Sequence, residues 1–296
     1  MKLGHWQLAA AMALVGANIP VAKLAVPFIP VFIFSFVRYG ISIVALAPFI
    51  AGEEGPRLRD LTRQEQIILL LQALCGGGLY MVLMLYGVRY TSAMNAGIIT
   101  STVPVCVALL AVVMLGERFG SRTVLSLILA VLGIMAVNTA SATPDTASAP
   151  LLGNSLVAGA VAAESLFIIF ARRMAAVLSP YRMAFAINLI GLILVLPPTL
   201  VEVLSFSPGE VAWTIWLLPV FYALTSSVLA LILWYRGLAT VPASEAAIFT
   251  STFPISAVAV SILFLGETPQ WVHAIGLGCV LAAIIITARG RPQEAH

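Results

Sequence analysis

Three ionisable side chains stand inside long apolar runs of this sequence: Lys23, Arg38 and Glu164. A charge in hydrocarbon costs at least a few kcal/mol on insertion scales, so each asks for a partner or a task. Arg38 lies about seven residues, roughly 10 Å at the helical rise, into its run, too deep for its stem to reach the headgroups comfortably. Its planar fork suits a substrate carboxylate, or a buried pair that fixes helices. Glu164 sits mid-run within Ala162-Ala163-Glu164-Ser165, where small neighbours admit close packing and water. A carboxylate there can bind an amine or exchange protons, or it can pair with Arg38 or Lys23 and serve assembly alone. Lys23 stands near the end of its run, where snorkelling to the interface is the alternative to a site role.

A second set of candidates is repeated. Thr100-Ser101-Thr102-Val103-Pro104 recurs as Thr250-Ser251-Thr252-Phe253-Pro254. Neither Pro104 nor Pro254 can donate to the carbonyl four residues back, that of Thr100 or Thr250, so each helix is expected to bend there. Such a bend presents carbonyls and hydroxyls to a cavity and gives a hinge for alternating access; the alternative is a static kink closed by its own threonines. Helical spacing puts Asn95, Ile99, Thr102 and Cys106 on one face, and Glu245, Phe249, Thr252 and Ser256 on the equivalent face, and both faces are predicted to meet a central cavity. Tyr80, Tyr86, Tyr90, Trp234 and Tyr235 can line its mouth or form interfacial belts, which Tyr90, Trp234 and Tyr235 fit best. Glu117 and Glu267 follow the ends of their runs and read as capping or gating residues.

Other chemistries lack their residues. Gly76-Gly77-Gly78 has no following Lys-Ser or Lys-Thr, so it reads as a close helix contact or hinge and not as a phosphate cradle. Cys75, Cys106 and Cys279 have no CxxC spacing, and no metal site is expected. His5 and His273 are unpaired, and Asp60 and Asp145 fall in linkers. A membrane-embedded enzyme would need a nucleophile with a base, paired aspartates or a ligand cluster, so no catalytic residue and no cofactor is expected.

These candidates sit in a chain of 296 residues that is 61% hydrophobic and only 9% charged, where a soluble domain carries about a quarter charged residues. The apolar stretches are unbroken over about twenty residues, which selects membrane-spanning helices over the alternating strands of a barrel. Spans are expected at 5–25, 31–50, 66–88, 93–115, 120–139, 153–172, 180–201, 211–236, 243–265 and 270–288. The basic residues Lys2, Arg57, Arg59, Arg63, Arg118, Arg122, Arg172, Arg173, Arg182, Arg236, Arg289 and Arg291 then share one side, and Arg89 is clearly opposite. The positive-inside rule places both termini in the cytoplasm. The net charge of +3 is scattered between spans, which speaks against a nucleic-acid partner.

The TST-Pro repeat has a displacement of 150 residues, and Leu115-Gly116-Glu117 recurs as Leu265-Gly266-Glu267 at the same displacement. Gly87 with Gly237, Ala93 with Ala243 and Ala96 with Ala246 keep that register. The expected architecture is all-α and integral to the membrane: ten transmembrane helices as two inverted five-helix repeats around a central cavity. Its parts are a first repeat over 1–140, an external linker over 141–152, a second repeat over 153–288 and a cytoplasmic tail over 289–296. Five spans per half, an odd number, force the halves to enter the bilayer from opposite sides, as in many secondary transporters.

Gly16-Ala17-Asn18 followed by Lys23, Arg38 in the second span, and the paired segments Ala93 to Glu117 and Ala243 to Glu267 carry a resemblance to the drug/metabolite transporter superfamily. Within it, the chain is similar to the branch with two EamA-type domains, although Val15 stands where such families commonly have tryptophan. The resemblance covers nearly the whole chain and adds Asn18 to the cavity candidates. It implies a bacterial inner-membrane exporter of small metabolites, amino acids foremost, with multidrug or organic-cation efflux and nucleotide-sugar exchange as the rival substrates. The partners expected are a small-molecule substrate and the lipid bilayer, and the fused halves make a monomer sufficient.

Overall fold

A computed structural model describes residues 3–25, 27–90, 99–100, 102–118, 120–140, 150–265 and 271–288. Asn95, Glu267, the side chains of Lys23 and Pro254, and most of the expected linker and tail lie outside the described residues. Every regular element among the described residues is helical. Helices α1 (Leu3–Ala25) and α2 (Val31–Ala51) are followed by α3 (Arg63–Ala73), which continues through a π-helical segment (Leu74–Leu79) into α4 (Tyr80–Tyr90). Then come α5 (Val103–Leu115), α6 (Ser121–Ala140), α7 (Pro150–Met174) and α8 (Pro180–Val203). Next, α9 (Leu217–Tyr222) runs through a second π segment (Ala223–Ala230) into α10 (Leu231–Thr240), followed by α11 (Ala243–Phe249), α12 (Thr252–Leu265) and α13 (Trp271–Ala288).

Among the described residues, four helical stretches are long and apolar enough to cross a membrane: Val31–Ala51, Leu151–Met174, Pro180–Val203 and Leu217–Thr240. Val103–Leu115, Ser121–Gly133 and Ala274–Ile286 are shorter apolar helices.

The 150-residue displacement found in the sequence also governs the packing. It carries α1 onto α7, α2 onto α8, α5 onto α12, α6 onto α13 and the first π segment onto the second. Contacts recur with the halves exchanged: α1 packs on α10 and α12, while α7 packs on α4 and α5. The repeated glycines explain part of this. A Cβ on Gly87 of α4 would lie 2.6 Å from Val157 Cγ2 of α7, and one on Gly237 of α10 would lie 2.5 Å from Leu8 Cγ of α1. Both positions are kept small so that equivalent helix pairs, each joining one half to the other, can close.

Helices α2 and α8 run antiparallel against each other, each held at its start by the other's end. Glu202, in the last turn of α8, accepts from the Phe32 and Ile33 amides at 3.0 Å each, in the first turn of α2. These donors have no partner within their own helix, and a carboxylate also answers the helix dipole. At the other end Glu53, just past α2, accepts from the Ser179 hydroxyl at 2.6 Å and faces Arg182 Nε at 3.7 Å. Ser179 is the N-cap of α8, its side chain accepting from the Arg182 amide.

Glu117 does a similar task for the short helix α11. After α5, Gly116 takes a left-handed conformation (φ 69°) that a Cβ would strain, and the chain turns Glu117 toward α11. Its carboxylate accepts from the Ala243 amide at 2.7 Å, the Ser244 amide at 3.0 Å and the Ser244 hydroxyl at 2.5 Å. Replacing Glu117 with alanine orphans these donors, an expected cost of about 1–2 kcal/mol. A lowered unfolding midpoint in detergent, with Glu117→Gln intermediate, is the expected readout; an unchanged midpoint would contradict the cap.

Candidate functional site

A cavity of about 610 Å³ lies between the two halves. Both π segments contribute to its wall, Gly76 from the first and Ser226 and Ser227 from the second. Gly76 and Ser226 are repeat equivalents, 150 residues apart. A π turn widens the helix locally and presents backbone and side chain out of the regular phase, which is why such segments gather at functional sites.

Arg38 of α2 faces this cavity. Its Nη1 donates to the Ser227 hydroxyl at 2.9 Å and its Nη2 to the Tyr39 hydroxyl at 2.8 Å. The guanidinium carbon lies 4.1 Å from the Tyr39 ring centroid and 5.3 Å from that of Tyr222. Two hydroxyls and two aromatic faces orient the fork without neutralising it. The repeat equivalent of Arg38 is Asn188 of α8, which also lines the cavity. Its amide nitrogen donates to the carbonyls of Ala184 at 2.7 Å and Ser227 at 3.0 Å. Its buried Oδ1 has no hydrogen-bond partner among the described residues.

Glu164 of α7 lines the same cavity, with Tyr80 close enough to interact electrostatically. No ion pair joins Glu164 to Arg38 among the described residues, so one cavity holds an acid and a base that do not satisfy each other. The walls between are largely apolar and aromatic, including Phe167, Trp234 and Phe253. The indole N–H of Trp234 is buried without a hydrogen-bond partner among the described residues. The arrangement can bind a molecule that carries both charges and an apolar body.

Of the residues singled out from sequence, the structure brings Arg38, Tyr80, Thr100, Glu164, Thr250 and Trp234 to this cavity. Ile99, Thr102, Phe249 and Thr252 are not among its lining residues, and Val103 and Phe253 are. The physical reason is the break in the helix at the TST segments. In the second half it separates α11 from α12 at Thr250 and Ser251, and turn bonds three residues apart, such as Thr250 N–H to Ala247 C=O at 3.2 Å, shift the phase. The Thr102 and Thr250 hydroxyls return to the carbonyls of Ile99 and Ala247 at 2.6 Å each. Pro104 is buried in the first turn of α5.

Three other candidates act in packing. Asn18 is 1% exposed; its Nδ2 donates to the Leu14 carbonyl and, at 2.9 Å, to the Thr225 hydroxyl, tying α1 to the second π segment. Glu245 meets His5 Nε2 at 3.3 Å, and the His5 ring stacks on Phe249 with centroids 5.5 Å apart. Glu117 is the cap of α11 already described. Gln72, buried, likewise donates to the Tyr235 hydroxyl at 2.9 Å, tying α3 to α10. Trp234 and Tyr235, expected in an interfacial belt, are 2% and 0% exposed. They turn inward because α10 packs one face on α1 and another on α8.

Asn188, Ser227, Tyr39 and Tyr222 escaped the reading of the sequence. Applying the displacement of 150 to Arg38 gives Asn188, so that one was within reach; the others depend on the tertiary packing around the second π segment.

The chain matches the description "EamA-like transporter family" over residues 2–139 and again over 151–289. It is 38% identical over 288 residues to the uncharacterized transporter YetK of Bacillus subtilis (strain 168), covering 97% of this chain and 87% of that one. It is 24% identical over 278 residues to the uncharacterized transporter YyaM of the same strain, covering 93% and 90%. A solved crystal structure superposes with a TM-score of 0.77 over 95% of this chain and 97% of the other, at 15% identity. That likeness is one of fold.

Proposed function

This chain belongs to the EamA-like transporter family, and on that premise we propose that it is a secondary transporter exporting small metabolites, amino acids first among them. Ten spans arranged as two inverted five-helix repeats would rock around the cavity, opening it alternately to each side of a bacterial inner membrane with both termini in the cytoplasm. A monomer would suffice, because each half already has its partner fused to it. The antiparallel α2 and α8 and the exchanged contacts of α1 and α7 support the inverted arrangement. Transport of this kind asks for neither a catalytic residue nor a cofactor.

One observation carries the substrate class: Arg38 and Glu164 share a cavity without pairing, each free to meet the opposite charge of a zwitterion. Arg38 would hold the carboxylate and Glu164 the ammonium, with the aromatic wall around the side chain. A second reading, efflux of organic cations, is favoured by that same wall of Tyr80, Phe167, Tyr222, Trp234 and Phe253 beside one carboxylate.

Proteoliposomes loaded in parallel with labelled amino acids, an organic cation and a nucleotide sugar, with and without a pH gradient, separate these readings. Saturable amino-acid efflux is expected, and Glu164→Gln is expected to slow it at least about tenfold by removing one charge-assisted contact. Release of the cation or the sugar alone would refute the amino-acid assignment.

A further inference from the structure

A second cavity, of about 530 Å³, opens where α2 ends and α8 begins, and none of its lining residues belongs to the central cavity. One wall is apolar, formed by Ile50, Leu58 and Phe185 with the small Ala47 beside them. The rim carries Arg57, Arg59 and Arg182 against a single acid, Glu53. Arg182 is buried and already engaged: Nη1 donates to the Pro56 carbonyl at 2.5 Å, Nη2 to the Glu53 carbonyl, and Nε faces the Glu53 carboxylate. Glu53 is therefore committed to Arg182 and to Ser179. Arg59 meets Asp60 at 3.6 Å, but both are largely exposed, and such a pair is weak and readily exchanged. Arg57 has no acidic partner for its side chain among the described residues.

The position sets the kind of ligand. Val31–Ala51 is an apolar span, so the cavity at its end lies at headgroup depth whichever side of the membrane it faces. Phe49, next along α2, is 56% exposed and stacks on Tyr181, extending the apolar surface beside the opening. A soluble anion would use the arginines and leave the apolar wall unused. A zwitterionic lipid would bring its own cation to a rim that already has an excess of them.

We propose that this cavity binds an anionic glycerophospholipid, its headgroup phosphate on Arg57 and Arg59 and the upper part of an acyl chain along Ile50 and Phe185. Arg182 holds the loop that presents Arg57 and Arg59. The site tethers the start of α8 and the end of α2, the pair that spans both halves. This assignment does not depend on which substrate the central cavity carries.

The test is lipid retention. The full chain is reconstituted in nanodiscs of equal parts phosphatidylglycerol and phosphatidylcholine, extracted into mild detergent, and the lipids kept are counted by native mass spectrometry. Phosphatidylglycerol is expected to be retained over phosphatidylcholine, and the paired variant Arg57→Gln/Arg59→Gln to lower that retention about tenfold or more. Ala47→Trp, which leaves every charge in place but narrows the apolar wall, is expected to lower it as well. Arg122→Gln, at an exposed arginine opening α6, is expected to leave it unchanged. All four residues changed are exposed, and unaltered circular dichroism and elution confirm that each variant folds. Equal retention of the two lipids overturns the proposal, as does undiminished retention in the first two variants or an equal loss in Arg122→Gln. Displacement of the retained lipid by millimolar inorganic phosphate would assign the cavity to a soluble anion and overturn it too; retention in the presence of phosphate is the expected result.

Discussion

Replacing Arg38 with alanine is expected to reduce amino-acid efflux from proteoliposomes by about ten- to a hundredfold per folded molecule, the equivalent of one or two charge-assisted hydrogen bonds. The guanidinium is held by Ser227, Tyr39 and the Tyr222 ring, so it is placed before a substrate arrives and loses little freedom on binding. The lysine variant separates charge from geometry. An ammonium keeps the charge but cannot hold both hydroxyls and still offer a planar fork to a carboxylate. Arg38→Lys should therefore fall between wild type and alanine, chiefly through a weaker apparent affinity. The rival account gives Arg38 to assembly alone. It predicts a lowered unfolding midpoint for Arg38→Ala, with efflux per folded molecule unchanged.

The second large effect is expected at Gly16. A Cβ there would collide with the Phe253 carbonyl oxygen and the Ser256 hydroxyl of α12, and would come within 3.0 Å of the Phe253 carbonyl carbon. Backbone cannot swing aside as a side chain can, so Gly16→Leu must push α1 away from α12. Overpacking of this kind costs typically about 1–3 kcal/mol, and here it also separates helices from opposite halves beside the cavity. The expected outcome is loss of monodisperse protein or a clearly lower unfolding midpoint. Gly40→Leu is the control, since a Cβ at Gly40 meets nothing within 4 Å and leucine is the better helix former. Equal tolerance of both substitutions would contradict the close α1–α12 contact.

Both predictions draw on features of unequal visibility in the sequence. The helices and their repeat are legible because hydrophobic length and a fixed displacement are properties of the chain itself: Gly87 and Gly237 stand 150 residues apart and perform the same packing task. Arg38 and Glu164 are legible because charge in an apolar run is expensive. The wall that joins them is not. Gly76 reads as a hinge or contact, yet the π turn that carries it into the cavity depends on tertiary packing, as does that of Ser226 and Ser227. The face assignments at Ile99 and Phe249 assume an unbroken 3.6-residue period, and the turn at the TST segments breaks it. Trp234 near a span end resembles a belt residue until its neighbours bury it. Glu117 reads as a capping or gating residue from its place after a run, and it caps α11. Which helix it caps, like the whole cap made by Glu202, is a long-range contact that no local pattern announces.

The central claim is that the substrate passes through the cavity between the halves, and cysteine modification tests it most directly. Ser226 lines that cavity, and Ser226→Cys is a small change. In a background with Cys75, Cys106 and Cys279 replaced by alanine, a charged methanethiosulfonate reagent is added to transporting proteoliposomes. Modification of the introduced thiol is expected to halt efflux, and saturating substrate is expected to slow the modification. Full efflux from a completely modified protein would mean that the route lies elsewhere.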